Sequence, residues 1–156
     1  MNKACVTTLA SSLAVATLVA ALVPLWWSID DARSLTGRDP RLDAAAWIER
    51  TIPLGEPIAA DSSTLPLRGR DVLRLQLPGP GRAFDPDRSL ERLRARGIRW
   101  LVLGGSVADR VLAAADAYPR EAAFYREVAR LEPAYATPDD DGRRSRPWLR
   151  VYRIYP

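Results

Sequence analysis

The first strong pattern along the chain is an uncharged, mainly apolar run of 26 residues from Ala4 to Ile29. As a helix this run reaches roughly 39 Å, whereas the hydrocarbon core of a bilayer is about 30 Å thick. Trp26 and Trp27 stand near the end of the run, and tryptophan favours the boundary between headgroups and hydrocarbon. The pattern therefore predicts a transmembrane anchor over residues 1–29, with both tryptophans at the membrane interface, and a juxtamembrane linker over residues 30–38.

A cleaved secretory signal peptide is the alternative for the same segment. Met1 to Lys3 is a short basic start, and Ala14-Val15-Ala16 offers small residues at a spacing suited to cleavage. The apolar run continues well past that position, which favours an uncleaved anchor. Lys3 places positive charge before the span, and the charges over residues 30–41 sum to zero. We therefore expect a single-pass protein of the inner (cytoplasmic) membrane, with its N-terminus inside and its domain extracytoplasmic.

Residues 39–156 alternate between helix-like and strand-like apolar patterns. Asp39-Pro40 is typical of an N-cap followed by proline in the first helical turn, and Pro53 stops that helix. The stretch 98–103 is almost continuously apolar, as in the centre of a covered sheet. In chain order the predicted elements are helix 40–52, strand 57–60, strand 72–77, a helix opened by Asp85-Pro86 and closed by Gly97, strand 98–103, helix 106–118, a helix from 119 that contains Leu131, and strands 135–136 and 148–155.

Helices interleaved with strands, followed by a final pair of strands, predict one α/β domain over residues 39–156. We expect three layers, a mixed sheet and a C-terminal antiparallel hairpin. The complete prediction for the fold is one N-terminal transmembrane helix followed by this small domain, which is of ordinary size for a single hydrophobic core.

Composition and charge exclude several classes of function. Apart from Lys3, the chain has 22 basic residues, all arginine, against 19 acids, which gives a net charge of +3. The arginines are scattered among the acids, and this distribution argues against a nucleic-acid partner. The chain has no histidine, and its single cysteine, Cys5, lies in the predicted anchor. We therefore expect no disulfide, no metal centre and no cofactor in the domain.

Three short motifs invite a chemical interpretation, and a structural one is favoured for each. Asp61-Ser62-Ser63 follows a predicted strand, but serine attack needs a positioned base and the chain has no histidine, so loop capping is preferred. Gly104-Gly105-Ser106 has neither a Walker nor a GxGxxG pattern, so a tight turn is preferred over a phosphate site. The acidic run 139–141, followed by Gly142, lacks the ligand spacing of a calcium loop.

Tryptophan offers one further candidate site. Trp47, Trp100 and Trp148 are able to stack on sugars, but each lies in or beside a predicted helix or strand, where tryptophan usually contributes core area. Core packing is the favoured interpretation. The sequence therefore assigns no catalytic, cofactor-binding or metal-binding residue.

Several motifs follow one another in an order that resembles a known family. They are Asp39-Pro40-Arg41, Ala45 to Ile48, Ile52-Pro53, Gly55, Ile58-Ala59, Gly97 to Leu103, Asp109-Arg110, Tyr118 to Glu127 and Arg150 to Ile154. Together they resemble the C-terminal region of bacterial membrane glycosyltransferases of GT-C architecture, of the protein-O-mannosyltransferase-like and aminoarabinose-transferase-like kinds. In those enzymes such a segment follows the last transmembrane helix and opens a small extracytoplasmic domain.

The resemblance implies an accessory domain that acts beside a catalytic membrane portion, which takes sugar from a polyprenyl-phosphate carrier. The many membrane helices and acidic loops of the family have no counterpart in this sequence, so no catalytic residue carries over. The expected partners are membrane lipid, whose phosphate groups Arg33, Arg38 and Arg41 would meet, and a multi-span glycosyltransferase subunit. The alternative is a single-pass, membrane-anchored domain that binds another envelope protein and has no enzymatic activity.

Overall fold

The computed structural model describes residues 22, 24–29, 32, 39–64, 66–137 and 147–155. It divides the chain into two compact units, Met1–Gly37 and Arg38–Pro156. In the first unit residues 24–29 are helical, and Trp26 and Trp27 are about 70 % exposed. Within the described part of the chain, no helix has the length and apolarity needed to cross a membrane. Most of the predicted span from Ala4 to Ile29 lies outside the described residues.

The second unit begins with helix α1, Pro40–Thr51, as the cap-and-proline pattern predicts. The Asp39 side chain accepts a hydrogen bond from the backbone N–H of Arg41 at 2.9 Å, and this bond satisfies one of the free donors of the first turn. The helix ends before Ile52, since Pro53 cannot continue it. Its inner face buries Ala44 and Ile48, and Ile52 is buried beside them.

Replacing Asp39 by alanine is expected to lower the free energy of unfolding by about 0.5–2 kcal/mol, because the cap of α1 is lost. The hydrogen bonds from the Arg41 side chain lower the pKa of the Asp39 carboxyl. The contribution is therefore full above the unfolded pKa and is lost as the pH falls through the lower folded pKa. Urea denaturation at neutral and acidic pH measures both effects. Ser89→Ala is the control with a smaller expected loss, because the hydrogen bond from the Arg92 N–H to the Ser89 hydroxyl is long, at 3.4 Å.

A mixed five-stranded sheet forms the middle layer of the domain. Its strands are β1 (Ile58–Asp61), β2 (Val72–Leu75), β3 (Trp100–Gly104), β4 (Tyr135–Ala136) and β5 (Leu149–Arg153). In space the order is β2-β1-β3-β5-β4. The strands β2 and β3 run parallel to β1, whereas β5 is antiparallel to β3 and to β4. The sheet confirms the predicted mixed α/β fold with a terminal antiparallel pair, and it places β3 in the centre.

Helices cover both faces of this sheet. The helix α1 packs on the face that carries Ile58, Ala60 and Val102. The opposite face carries Ala59 and Leu101 and is covered by three helices. These are α2 (Leu90–Ala95), α3 (Gly105–Ala113) and α4 (Pro119–Val128). Because alternate residues of β1 and β3 are buried on opposite faces, the domain has the three layers that the sequence predicts.

Three helix boundaries differ from the sequence-based expectation by more than one residue. Asp85 does not cap α2, because its carboxylate accepts hydrogen bonds from the backbone N–H of Gln76 at 2.7 Å and of Asp87 at 3.0 Å. The actual N-cap is Ser89, four residues later. The helix α3 ends at Ala113 and does not reach residue 118, since the following residues form tight turns. The helix α4 ends at Val128 and does not contain Leu131, because residues 129–131 form a turn.

Candidate functional site

The edge of the sheet where β1 and β3 end is the natural place to look for a functional site. The chain places β2 and β3 on opposite sides of β1, and their carboxyl ends share this edge. Open α/β sheets bind ligands in the crevice at such a point. Asp61 is the last residue of β1, and Gly104 is the last residue of β3. The chemistry of this edge therefore depends on what surrounds these two residues.

Asp61 belongs to a buried polar cluster with Arg88 and Tyr125, which we call the buried triad. Arg88 Nη2 donates to Asp61 Oδ1 at 3.0 Å, and Arg88 Nη1 donates to the Tyr125 hydroxyl at 2.6 Å. The Tyr125 hydroxyl in turn donates to both carboxylate oxygens, at 3.1 and 3.0 Å. The side chains of the ion pair are 0 % exposed, so solvent does not reach the carboxylate. The triad ties β1 to the segment before α2 and to α4.

Burial disfavours the charged form of Asp61, and the charge and hydrogen bonds of its two partners oppose this effect. Burial raises the pKa of the Asp61 carboxyl, while the Arg88 charge and the hydrogen bond from Tyr125 oppose that rise. Burial and the neighbouring Asp61 raise the pKa of the Tyr125 hydroxyl, so it stays protonated as a donor. Arg88 also donates to the Gln76 carbonyl at 2.8 Å. Among the described residues Arg88 Nε alone of this guanidinium lacks a partner.

Replacing Tyr125 by phenylalanine is expected to lower the free energy of unfolding by about 1–3 kcal/mol. The substitution removes one donor from the buried Asp61 carboxylate and one acceptor from Arg88, and it leaves the ring packing unchanged. Chemical denaturation measures the loss. Tyr155→Phe is the matched control, because Tyr155 is 45 % exposed and should change stability by less than about 0.5 kcal/mol. An equal effect of both substitutions would contradict a structural role for the buried hydroxyl.

The residues after Asp61 close the loop through hydrogen bonds to the Asp61 backbone carbonyl. The backbone N–H and the hydroxyl of Thr64 both donate to the Asp61 carbonyl, at 3.2 and 2.8 Å. Arg74 Nη1 donates to the same carbonyl at 3.1 Å. The Ser63 hydroxyl is buried without a partner among the described residues, and Ser62 is exposed. These contacts agree with loop capping, which was the favoured interpretation of the Asp61-Ser62-Ser63 motif.

Gly104 and Gly105 form a tightly packed turn into α3. A Cβ atom on Gly105 would lie 2.6–2.9 Å from three indole atoms of Trp148. The Gly105 N–H donates to the Trp148 carbonyl at 2.8 Å, and the Trp148 indole N–H donates to the carboxylate oxygens of Asp109, at 3.0 and 3.2 Å. The absence of a side chain on Gly105 thus allows Trp148 to lie against the start of α3, in agreement with the packing interpretation of this motif.

A narrow crevice lies between α1 and the edge of the sheet. Arg41, Thr64 and Leu67 are among its lining residues, and its volume is about 10 Å³. Such a volume holds roughly one water molecule. A substrate-sized molecule does not fit there without movement of the surrounding side chains.

The remaining tryptophans contribute to packing. The rings of Trp47 and Tyr135 stack with centroids 5.2 Å apart, and Trp47 meets Trp100 edge-on at 6.2 Å. All three rings pack against the core on the α1 face, as the core interpretation of Trp47 and Trp100 predicts. The Trp100 indole N–H donates to Glu56.

Of the three arginines predicted to contact lipid, the structure describes Arg41. Arg41 forms an ion pair with Asp39, in which its Nε and Nη2 donate to the carboxylate at 2.7–3.0 Å. A lipid phosphate would have to compete with that carboxylate for Arg41. Arg33 and Arg38 lie outside the described residues, as does the acidic run 139–141. Across the described ranges no group of three histidine, cysteine or acidic side chains is placed to hold a metal ion.

The sequence does not predict two members of the buried triad, Arg88 and Tyr125. Asp61 is noticed because it ends a strand, whereas Arg88 lies in a turn and Tyr125 has the helical spacing of a core residue. Arg88 is 27 residues from Asp61 and 37 from Tyr125 along the chain. The local sequence shows only that Arg88 closes an Asp-Pro-Asp-Arg turn just before a short helix.

Comparison with known proteins assigns no family to the chain. No protein-family model, no curated protein and no solved structure matches it.

Proposed function

We propose that this chain is a non-catalytic accessory domain of a membrane glycosyltransferase that uses a polyprenyl-phosphate sugar. The proposal that the domain is not catalytic rests on one observation. The Asp61 carboxylate is fully buried at the sheet edge, and both of its oxygens accept hydrogen bonds from Arg88 or Tyr125. A general acid or base must reach the proton that it transfers. Asp61 is held away from solvent, and its hydrogen bonds serve to fix three elements together.

The side chains that remain at this edge support the same proposal. Ser62 and Ser106 are exposed, but a serine nucleophile needs a neighbouring base. The chain has no histidine, and Lys3, its single lysine, is remote in sequence from the domain. The crevice beside this edge has space for about one water molecule and none for a sugar. The resemblance to the C-terminal region of GT-C enzymes supplies the proposed setting, in which the domain lies beside a catalytic membrane subunit.

Co-purification tests this proposal directly. The tagged full chain is extracted from its native membrane in mild detergent, and the bound proteins are identified by mass spectrometry. We expect a multi-span glycosyltransferase that lacks a C-terminal domain of its own. Tyr125→Phe serves as a control for effects of stability alone, since it weakens the buried triad, leaves the exposed surface unchanged and should capture the same partner. Recovery of a different envelope protein and no transferase would overturn the proposal in favour of a membrane-anchored interaction domain.

The proposed contact with lipid makes a second prediction. Replacing Arg33, Arg38 and Arg41 together by glutamine should reduce the enrichment of phosphatidylglycerol over phosphatidylcholine around the full chain, because guanidinium groups bind lipid phosphate. Arg41 should contribute least, since Asp39 already binds it. Lipids that remain bound after extraction from mixed vesicles are measured by mass spectrometry.

A variant with the same loss of charge controls for this effect. Arg50, Arg126 and Arg130 are exposed, and they are also replaced by glutamine. An unchanged enrichment in the first variant, or an equal loss in both, would reject the specific role of the juxtamembrane arginines.

A further inference from the structure

An open concavity of about 440 Å³ lies at the end of β5, away from the buried triad. It is lined by Arg94 of α2 and by Arg153, Ile154 and Tyr155, which lie at the end of β5 and just after it. Both arginines are exposed, and Tyr155 is 45 % exposed. Among the described residues no acidic side chain lines the concavity. It therefore presents two positive charges beside the exposed ring of Tyr155.

Arg94 is held in place before any ligand arrives. Its Nε donates to the carbonyl oxygen of Ile154 at 2.6 Å, which fixes one edge of the guanidinium group. The two terminal nitrogens of Arg94 form no hydrogen bond with any described residue. A side chain that is already ordered loses less conformational entropy when a ligand binds. Arg94 is thus a preorganised donor at the rim of the concavity.

Within the described ranges, no carboxylate neutralises the charges of the concavity, whereas neighbouring arginines have acidic partners. Arg96 binds Asp87 at 2.8 Å, and Arg99 approaches Glu56 at 3.4 Å. Neither Arg94 nor Arg153 forms a salt bridge with any carboxylate in the part of the chain that the structure describes. Two guanidinium groups at one concave surface, neither neutralised by a carboxylate of the described residues, attract a dianion.

We infer that this concavity binds a phosphate monoester whose organic group lies against Tyr155. The fork of N–H donors on arginine matches the oxygens of a phosphate group, and two such forks suit its double charge. The exposed ring of Tyr155 offers the apolar contact that an organic substituent needs. Inorganic phosphate uses only the charged half of the concavity and so binds more weakly than an aromatic ester.

Calorimetric titration of the full chain in an uncharged detergent tests the site, with phenyl phosphate as the probe. We expect saturable binding with one site per chain, tighter than that of inorganic phosphate. Arg153→Gln should weaken binding about tenfold, because a charge-assisted hydrogen bond is lost. Tyr155→Ala should remove the preference for phenyl phosphate over inorganic phosphate. Arg92→Gln is the matched control, since Arg92 is exposed on α2 but does not line the concavity.

Two outcomes overturn the inference. One is the absence of saturable binding, and the other is equal weakening by Arg92→Gln and Arg153→Gln, which would indicate diffuse charge attraction without a site. A second titration, with monomeric short-chain phosphatidic acid, distinguishes a lipid headgroup from a water-soluble phosphate ester as the ligand. Tighter binding of that lipid than of phenyl phosphate identifies a lipid headgroup as the ligand, and the reverse order identifies a water-soluble ester. Both orders support the site, provided that Arg153→Gln weakens each ligand.

Discussion

Replacing Arg88 by methionine is expected to lower the free energy of unfolding by about 3–5 kcal/mol. The variant leaves the Asp61 carboxylate 0 % exposed with no counter-charge, and it also removes the donor to the Tyr125 hydroxyl. Methionine fills much of the space of the arginine stem, so the loss reports the uncompensated charge and not a cavity. Urea denaturation followed by circular dichroism measures it.

A double variant shows whether the charge is the cause. Asp61→Leu combined with Arg88→Met removes both charges and should recover most of the lost stability, because a buried ion pair is often replaceable by apolar groups of similar volume. A double variant that is as unstable as Arg88→Met alone would contradict this account. The loss would then come from packing or from the hydrogen bond to the Gln76 carbonyl.

The pH dependence of the Arg88→Met variant gives an independent check. Burial raises the pKa of the Asp61 carboxyl, and Arg88 is the charge that opposes this rise, so its removal raises the pKa further. An acid with a folded pKa above its unfolded pKa loses stability as the pH rises from the unfolded value through the folded one. The deficit of the variant relative to the wild type should therefore be smallest in acid and grow towards neutral pH.

Replacing Gly105 by alanine is expected to cost about 1–3 kcal/mol, which is typical of overpacking in a rigid surrounding. The added Cβ would lie 2.6 Å from Trp148 Nε1 and less than 3 Å from two further indole atoms. The indole cannot move away easily, because its N–H is bound to Asp109 and its own backbone carbonyl accepts the Gly105 N–H. Thermal and chemical denaturation measure the loss.

Two other glycines provide graded controls for this variant. Gly79→Ala should be nearly neutral, since its Cβ would meet only the Arg82 side chain at 3.6 Å. Gly104→Ala should cost less than Gly105→Ala, because its Cβ would meet one atom below 3 Å, the Ser63 Oγ at 2.7 Å, and not three atoms of a rigid indole. If Gly105→Ala behaved as Gly79→Ala does, Trp148 would not be fixed over this turn.

Local patterns were sufficient for most of the elements of the domain. Asp39-Pro40 and Pro53 bracket α1 so tightly that its predicted and observed bounds differ by one residue. The apolar run that forms β3 does lie in the centre of the sheet, where both faces are covered. Such features depend on caps, prolines and periodicity, which act within a few residues.

Other features depend on contacts between distant residues, and for that reason the sequence did not reveal them. Asp85 has the residue type and the following proline of an N-cap, but its carboxylate is used by Gln76 and Asp87. The pairing of Arg88 with Asp61 joins residues 27 apart and follows no periodic rule. The anchor over residues 1–29, the lipid contacts and the glycosyltransferase partner stay predictions.

The sheet itself limits how this domain is able to recognise another protein. Its outermost strands are short, because β2 has four residues and β4 has two. Such edges expose few free backbone donors and acceptors, so they offer little to an incoming strand and little template for aggregation. We therefore expect a partner that binds the described part of the domain to be held mainly by side chains. The interfaces of the domain are therefore best mapped by substituting exposed side chains. Peptides designed to pair with an edge strand are less suitable.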